Sequence, residues 1–232
     1  MLRLENISKS YGAKVALSIE TLEIPAGQVI GLVGNNGAGK TTMLSIILDL
    51  INPNSGQAYS KDLLIAKSEH WKSYTGSYIS ENFLLEFLTP DEYFNFIAEL
   101  HHFSAADLST FLDQFDDLFN NEIRGVRKYI RDLSKGNQKK TGIVAALIGE
   151  PEVILLDEPF ANLDPTTQIR LKTTIKNLKS PEKTVIISSH DLSHATEVSD
   201  RIILLENGLV VKDLIKNDET LKELEEYFQV ST

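Results

Sequence analysis

Three short segments of this 232-residue chain carry residue types suited to phosphate chemistry. The first, Gly34-Asn35-Asn36-Gly37-Ala38-Gly39-Lys40-Thr41, has the pattern G-x-x-x-x-G-K-[ST]. It follows the apolar run 29–33 and precedes residues 40–50, which have helical character, so its context is also that of a phosphate-binding loop. A phosphate chain must lie against backbone N–H groups, where side chains would block it. Glycines allow that approach and the positive φ angles it needs, and the helix N-terminus adds donors and partial positive charge. Lys40 is placed to bridge β- and γ-phosphates and Thr41 to ligate Mg²⁺, with Thr42 beside it among the nucleotide-facing residues. The second segment, Val153-Ile154-Leu155-Leu156-Asp157-Glu158, delivers two carboxylates at the end of an apolar strand, where α/β folds bind ligands. Adjacent strand residues point to opposite sides, so the two acids take different roles: Asp157 toward Mg²⁺, Glu158 toward the water that attacks the γ-phosphate. The third, Ser188-Ser189-His190-Asp191, ends another apolar run and offers His190 to the same phosphate.

The elements that must position these residues can be read coarsely. Residues 1–30 read as short strands broken by turns, one of them at Tyr11-Gly12. Residues 29–33, 153–156 and 185–188 read as buried parallel strands. Residues 84–148 are mostly helical, with Pro90 opening a helix after Thr89. Helix is expected again over 166–179. Residues 202–205 and 209–211 form a hairpin around Asn207-Gly208. A charged helix from about residue 219 to 228, capped by Asp218, follows. Alternating strands and helices give an α/β layered fold, interrupted by an inserted helical block.

Composition narrows the class. Hydrophobic residues at 42% and charged residues at 24% suit a globular protein. The net charge of −10 argues against nucleic-acid binding and against adsorption to an anionic membrane. No cysteine is present, which removes disulfides, thiolate metal sites and thiol nucleophiles. No apolar run approaches the roughly 20 residues of a membrane span, and the N-terminus lacks an apolar signal core. A cytoplasmic chain with no direct membrane insertion is expected.

One further motif decides the family. Leu133-Ser134-Lys135-Gly136-Asn137-Gln138 lies shortly before the Asp157 strand and is similar to the L-S-G-G-Q signature of ATP-binding cassette (ABC) proteins. The ordered set of Tyr11, Gly34–Thr41, a position near Glu81, the signature, Asp157-Glu158, Ala161-Asn162-Leu163-Asp164 and His190 resembles the ATP-binding subunit of ABC transporters from about residue 2 to 211. The resemblance implies a P-loop NTPase core of ABC ATPase type with an N-terminal antiparallel β-subdomain and an inserted α-helical subdomain. It makes residues 1–232 one domain: 1–83 and 150–211 as α/β core and β-subdomain, 84–149 as helical subdomain, 212–232 as C-terminal helix. It also implies two subunits, identical or different, facing head to tail around two ATP molecules. Each ATP would meet the loop of one subunit and Ser134 and Gly136 of the other. Tyr11 would stack on adenine, the alternative being a turn aromatic on an apolar surface. Asp164 would organise the interface.

Three positions depart from the family pattern. Lys135 replaces the first signature glycine, either adding positive charge near phosphate or lying in solvent. Asn137 replaces the signature glutamine. Glu81 stands where a glutamine is usual; a carboxylate can face Mg²⁺ or its water only as an acceptor, and the alternative is that it never reaches the metal. None of the three touches Lys40, Asp157, Glu158 or His190, so an active ATPase is expected, coupled to a separate transmembrane permease and peripheral at the inner face of the membrane. The loop and signature sequences look most like bacterial two-component exporters. A non-transport ABC ATPase is the alternative, disfavoured by the single cassette, the lack of a coiled-coil tract and the acidic charge. A phosphate-loop kinase leaves the signature unexplained.

The inserted block has two peculiarities. Eight of the ten phenylalanines lie in it or at its entrance, at 83, 87, 94, 96, 103, 111, 115 and 119. The spacing of Phe111, Phe115 and Phe119 marks a helical core, whereas Phe83 and Phe87 suit an exposed groove for a partner helix. Residues 73–123 contain ten acids and no Lys or Arg, which accounts for the whole net charge. Arg124, Arg127, Lys128, Arg131, Lys135, Lys139 and Lys140 follow around the signature and flank the motif that would face ATP, while the acidic stretch is either a solvated face or a docking face for a basic surface of the membrane subunit.

Overall fold

In the computed structural model, which describes residues 1–230, two sheets are stacked through one apolar layer. The chain begins with β1 (Leu2–Tyr11) and β2 (Lys14–Ile24), an antiparallel pair joined at Gly12-Ala13. These are two long strands rather than several short ones. The alternation of Leu2 and Leu4 slips at Ile7 because Asn6 takes a left-handed φ of 50° and the register with the neighbouring strand shifts between Glu5 and Ser8. Such an irregularity breaks the period-2 pattern without ending the strand. Then come β3 (Val29–Val33), α1 (Lys40–Ile47), β4 (Ser55–Ser60), the short β5 (Leu63–Leu64) and β6 (Thr75–Tyr78). Helices α2 (Pro90–Leu100), α3 (Ala105–Asp113), α4 (Asp116–Phe119) and α5 (Lys135–Ala145) intervene before β7 (Val153–Leu156). The chain continues through α6 (Pro165–Asn177), β8 (Thr184–Ser189), α7 (Leu192–Val198), β9 (Arg201–Glu206), β10 (Leu209–Ile215) and α8 (Thr220–Val230).

The antiparallel sheet has the order β2-β1-β4-β5, and the mixed sheet β10-β9-β3-β8-β7-β6. In the latter every pair from β9 to β6 is parallel, and β10 alone is antiparallel. Strand alternation divides the core. Val153 and Leu155 face α1 and the antiparallel sheet, while Ile154 and Leu156 face the opposite side. On that side Phe94, Phe111, Phe115 and Phe119 join the sheet residues Val185 and Ile187 in one apolar cluster. The helical block therefore shares its core with the sheet instead of closing a core of its own.

Local capping explains where the helices start. Thr89 and Glu92 make a reciprocal capping box at α2 with Pro90 in the first turn, and Ser104 and Asp107 do the same at α3. The backbone and hydroxyl of Thr89 bond the Glu92 carboxylate and hold its pKa down.

The C-terminal part corrects the sequence reading. Residues 212–215 extend β10 and are not helix. Arg201 holds Asp213 through two bonds of 2.6 and 2.5 Å, which stabilises polar residues in an edge strand. The turn before α8 is organised by Asn217 rather than Asp218: Asn217 Oδ1 accepts from Glu219 N at 2.9 Å and from Thr220 Oγ1 at 3.2 Å. Residues 231–232 of the expected helix lie outside the described residues.

Candidate active site

The mixed sheet sends three neighbouring strands, β3, β8 and β7, to one edge, and each delivers a functional segment at its carboxyl end. The fully buried β3 runs into the loop 34–39, and α1 starts at Lys40. Two glycines there are sterically required. A Cβ on Gly34 would stand 2.2 Å from the Leu205 carbonyl oxygen, and one on Gly39, at φ 111°, 2.6 Å from that of Ala16. The loop is braced from behind by the β9–β10 turn, where Gly208 N donates to Ala38 O at 2.9 Å.

Lys40 is 6% exposed. Its Nζ donates to Gly34 O at 2.7 Å and lies 3.4 Å from Glu158 Oε1. Past β7, Asp157 is buried and accepts from two hydroxyls: Thr41 Oγ1 at 2.6 Å on Oδ2, and Ser188 Oγ on Oδ1. Ser188 Oγ also accepts from Glu158 N at 2.9 Å. Glu158 has a left-handed φ of 47°, which turns its side chain away from the strand direction. Its Oε2 is 2.9 Å from His190 Nδ1, just beyond β8. One carboxylate thus stands between an ammonium and an imidazole.

A cleft of about 300 Å³ opens over these groups. Asn36, Gly37, Ala38, Gly39, Lys40, Thr41, Thr42 and Glu158 line it, as do Lys14, Ala16 and Tyr11. The Tyr11 ring is 55% exposed at the end of β1, with Lys9 Nζ 5.3 Å from its centroid. Gly34 is buried beneath the loop, and Asn35 contributes its carbonyl to Ala38 N and Lys40 Nζ.

The signature residues lie elsewhere. Ser134 caps α5 by accepting from Asn137 N at 3.2 Å, and neither it nor Gly136 lines the cleft. Gly136 packs beside Leu163 and Asn162, while Asp164 caps α6 through Thr167 N and Oγ1 at 3.0 and 2.6 Å. Those bonds hold the Asp164 carboxyl below the usual range. Lys135 is exposed and donates to Gln138 Oε1 at 3.1 Å. Gln138 in turn holds the preceding loop through the carbonyls of Arg131 and Leu133.

Glu81 starts a single 3-10 turn after β6. Its charge acts on the Tyr78 hydroxyl, whose pKa is raised chiefly by burial, and on Lys139. No hydrogen bond joins it to Thr41 or Asp157. The basic cluster around the signature is only partly at the surface. Lys139 and Lys140 are buried, Lys140 against Glu122 at 2.7 Å, and Arg124 pairs with Asp113 and Asp116 at 2.6 and 3.1 Å. Ser188 and Lys139 lie in segments that the sequence singles out, but nothing in the sequence marks the roles they take. Ser188 meets Asp157 and Glu158 through pairing of β8 with β7, and Lys139 meets residues 158 and 161 through packing of α5 against the turn after β7.

The chemistry of the donor set suits Mg²⁺. Thr41 and Asp157 present hard oxygens 2.6 Å apart, and Mg²⁺ on nucleotides takes one or two protein ligands beside phosphate oxygens and water. Among the described residues no group of three or more acidic or histidine side chains forms a metal cage of its own.

A family model described as ABC transporter matches residues 17–161. The chain belongs to the ABC transporter family. It is 37% identical over 202 residues to an uncharacterized ABC transporter ATP-binding protein of Nostoc, covering 85% of this chain and 59% of that protein. It is 31% identical to a lantibiotic transport ATP-binding protein of Streptococcus pyogenes, over 97% of this chain and 95% of the relative. A choline transport ATP-binding protein of Bacillus subtilis is 31% identical over 96% of this chain and 61% of its own length. Thus the chain spans about three fifths of some relatives and nearly all of another. Among solved structures, an ATP-binding subunit of an ABC transporter superimposes with a TM-score of 0.87 at 27% identity, covering both chains fully. A dimeric post-hydrolysis ATP-binding cassette bound to ADP and Pi gives 0.80 at 25%, over 93% of this chain and 98% of that one. This ABC cassette therefore has the α/β P-loop NTPase fold of the family.

Proposed function

We propose that this ABC cassette hydrolyses ATP and drives a separate transmembrane permease. The observation that carries the reading is the Lys40–Glu158–His190 cluster under a phosphate-binding loop, at the ends of three adjacent parallel strands. The loop amides and Lys40 would hold the phosphates. Glu158 would accept a proton from the attacking water, and His190 would fix the Glu158 side chain and face the γ-phosphate. Thr41 and Asp157, and Glu81 at longer range, would hold Mg²⁺, which neutralises charge on the phosphate oxygens when bound.

Ser134 and Gly136 are remote from their own chain's cleft, so they would reach ATP on a second subunit. That geometry favours a head-to-tail dimer closed by γ-phosphate and released by hydrolysis. For the permease, a groove of about 320 Å³ between β6, α2 and α5 offers an apolar wall that includes Trp71, Phe83, Leu84 and Ile97. Phe87 is 60% exposed nearby but does not line it. No helix among the described residues is long and apolar enough to cross a membrane, in keeping with peripheral attachment at the cytoplasmic face. Export is the direction that the loop and signature sequences favour; the relatives are named for choline and for lantibiotic transport. Phosphate release from ATP and Mg²⁺ by the purified chain, with copurification of a permease in detergent, tests the reading. A chain that binds ATP but never releases phosphate overturns it.

A further inference from the structure

The site holds one buried cation that the reading above does not use. Lys139, one turn into α5, is 5% exposed. Its Nζ donates to the backbone carbonyls of Glu158 and Ala161, each at 2.8 Å. Those two carbonyls bound the turn that gives Glu158 its left-handed φ, and the same turn is closed by Ala161 N on Glu158 O at 3.2 Å. Lys139 makes no side-chain ion pair. Around it stand the Tyr78 ring, 6.0 Å from Nζ, and the charges of Glu81, Glu158 and Asp157. Burying an ammonium is costly unless it is hydrogen-bonded, and a hydrophobic residue of similar length would fill the same space. With such a residue the Ala161 carbonyl would lose its Lys139 donor and the Glu158 carbonyl would keep only the Ala161 N–H, so the ammonium is what links the two carbonyls.

We infer that Lys139 is a positioning residue: it ties the helix that begins at Ser134 and Gly136 to the turn that aims Glu158. The inference rests on the ATPase reading. The path is short. Gly136 touches Asn162 and Leu163, Lys139 holds residues 158 and 161, and Gly142, one turn further, packs so closely on Tyr78 that a Cβ would stand 2.5 Å from its ring. A displacement of α5, such as contact of its first turn with a nucleotide on another subunit, is passed to the Glu158 carbonyl through one ammonium. Glu158 moves relative to the γ-phosphate, while the loop that binds ATP does not.

The test is a split between turnover and binding. Lys139→Met keeps the stem and removes the donors; Lys139→Gln keeps two N–H donors on a shorter arm. With activity normalised to titrated ATP sites, Lys139→Met should lose about tenfold or more in kcat and Lys139→Gln about threefold, with KM for ATP within about twofold of the parent, as expected when a reacting group is misplaced without loss of the binding loop. If Lys139→Met does not fold, Lys139→Gln alone must show the kcat loss at constant KM. Parental kcat in either variant, equal loss in both, or KM rising in step with falling kcat overturns the inference. An unsubstituted protein without turnover would instead overturn the ATPase reading, before any variant is made.

Discussion

The loop side and the signature side of this molecule are built on opposite principles. At the loop, the charged side chains are held by partners in their own chain: Asp157 by two hydroxyls, Glu158 by Lys40 and His190, Lys40 by the Gly34 carbonyl. At the signature, Ser134 bonds only to its own helix, and Gly136 makes no contact tighter than ordinary van der Waals distance, with Leu163 Cδ2 3.5 Å from where a Cβ would stand. The first region is complete within one chain; on the proposed reading, the second is completed by a ligand that another brings. Groups that carry out chemistry must be fixed before substrate arrives, whereas a group that senses closure must be free until closure occurs.

The sharpest way to break this contrast is at Glu158. Glu158→Gln keeps the shape and removes the base. Loss of a general base costs typically 10²–10⁴-fold in rate, so phosphate release should fall by about that factor while ATP still binds and holds the dimer. Size-exclusion chromatography with ATP and Mg²⁺ should show a persistent dimer; a variant that stays monomeric argues against the sandwich.

Gly136→Asp probes the other side. A Cβ at residue 136 meets only ordinary contacts, the nearest being Leu163 Cδ2 at 3.5 Å, and an acid in a first helical turn is locally favourable. The isolated chain should fold and bind ATP as before, yet repel the γ-phosphate of a second subunit. Dimer formation and turnover should then drop by about tenfold or more, since an acid about 4 Å from a doubly charged γ-phosphate is repelled by about 2 kcal/mol even at the dielectric constant of water. Equal weakening of ATP binding in the monomer would mean that the two regions are not separate.

Lys40→Ala returns to the loop with a smaller effect, on binding. Removing a charged donor costs about 1.5–3 kcal/mol, which is a tenfold or greater loss of ATP affinity by equilibrium titration. Affinity unchanged within twofold would place the phosphates away from Lys40.

The same contrast explains what was legible in the sequence. The loop and the Asp157-Glu158 pair are contiguous segments with a strict composition, so they announce both themselves and their strands. The capping boxes at Thr89 and Ser104 are equally local. Ser188 and Lys139 lie in segments that the sequence singles out for His190 and for the signature, but their own roles arise only through pairing across the sheet and packing of α5. The end of β10 was misread for a similar reason: its polar residues Lys212 and Asp213 look unlike strand until Glu223 and Arg201 are seen across from them. Phe111, Phe115 and Phe119, which spacing marks as core, are buried together with Phe94, which spacing does not mark; Phe83 and Phe87 are exposed, and of these two only Phe83 lines the groove. What spacing could not show is that the buried four also cover the sheet.

Charge gives the smallest and most specific test. In sequence, the acidic stretch and the basic cluster after it look like two surfaces awaiting different partners; in the fold, part of each is spent on the other. Glu122 sits against Lys140, whose side chain is only 4% exposed, and the Lys140 hydrogen bond pulls the Glu122 pKa below the ordinary glutamate range. A carboxyl depressed in the folded state adds stability that is present above its unfolded pKa, about 4.3, and is lost as pH falls through the folded value. Glu122→Gln should therefore lower the melting midpoint near neutral pH, and the gap to the parent should close as the pH drops below about 4.3. Glu122 is half exposed, so screening limits the effect to about 1 kcal/mol or less. A gap that persists unchanged at low pH would mean that Glu122 acts by packing and not by charge.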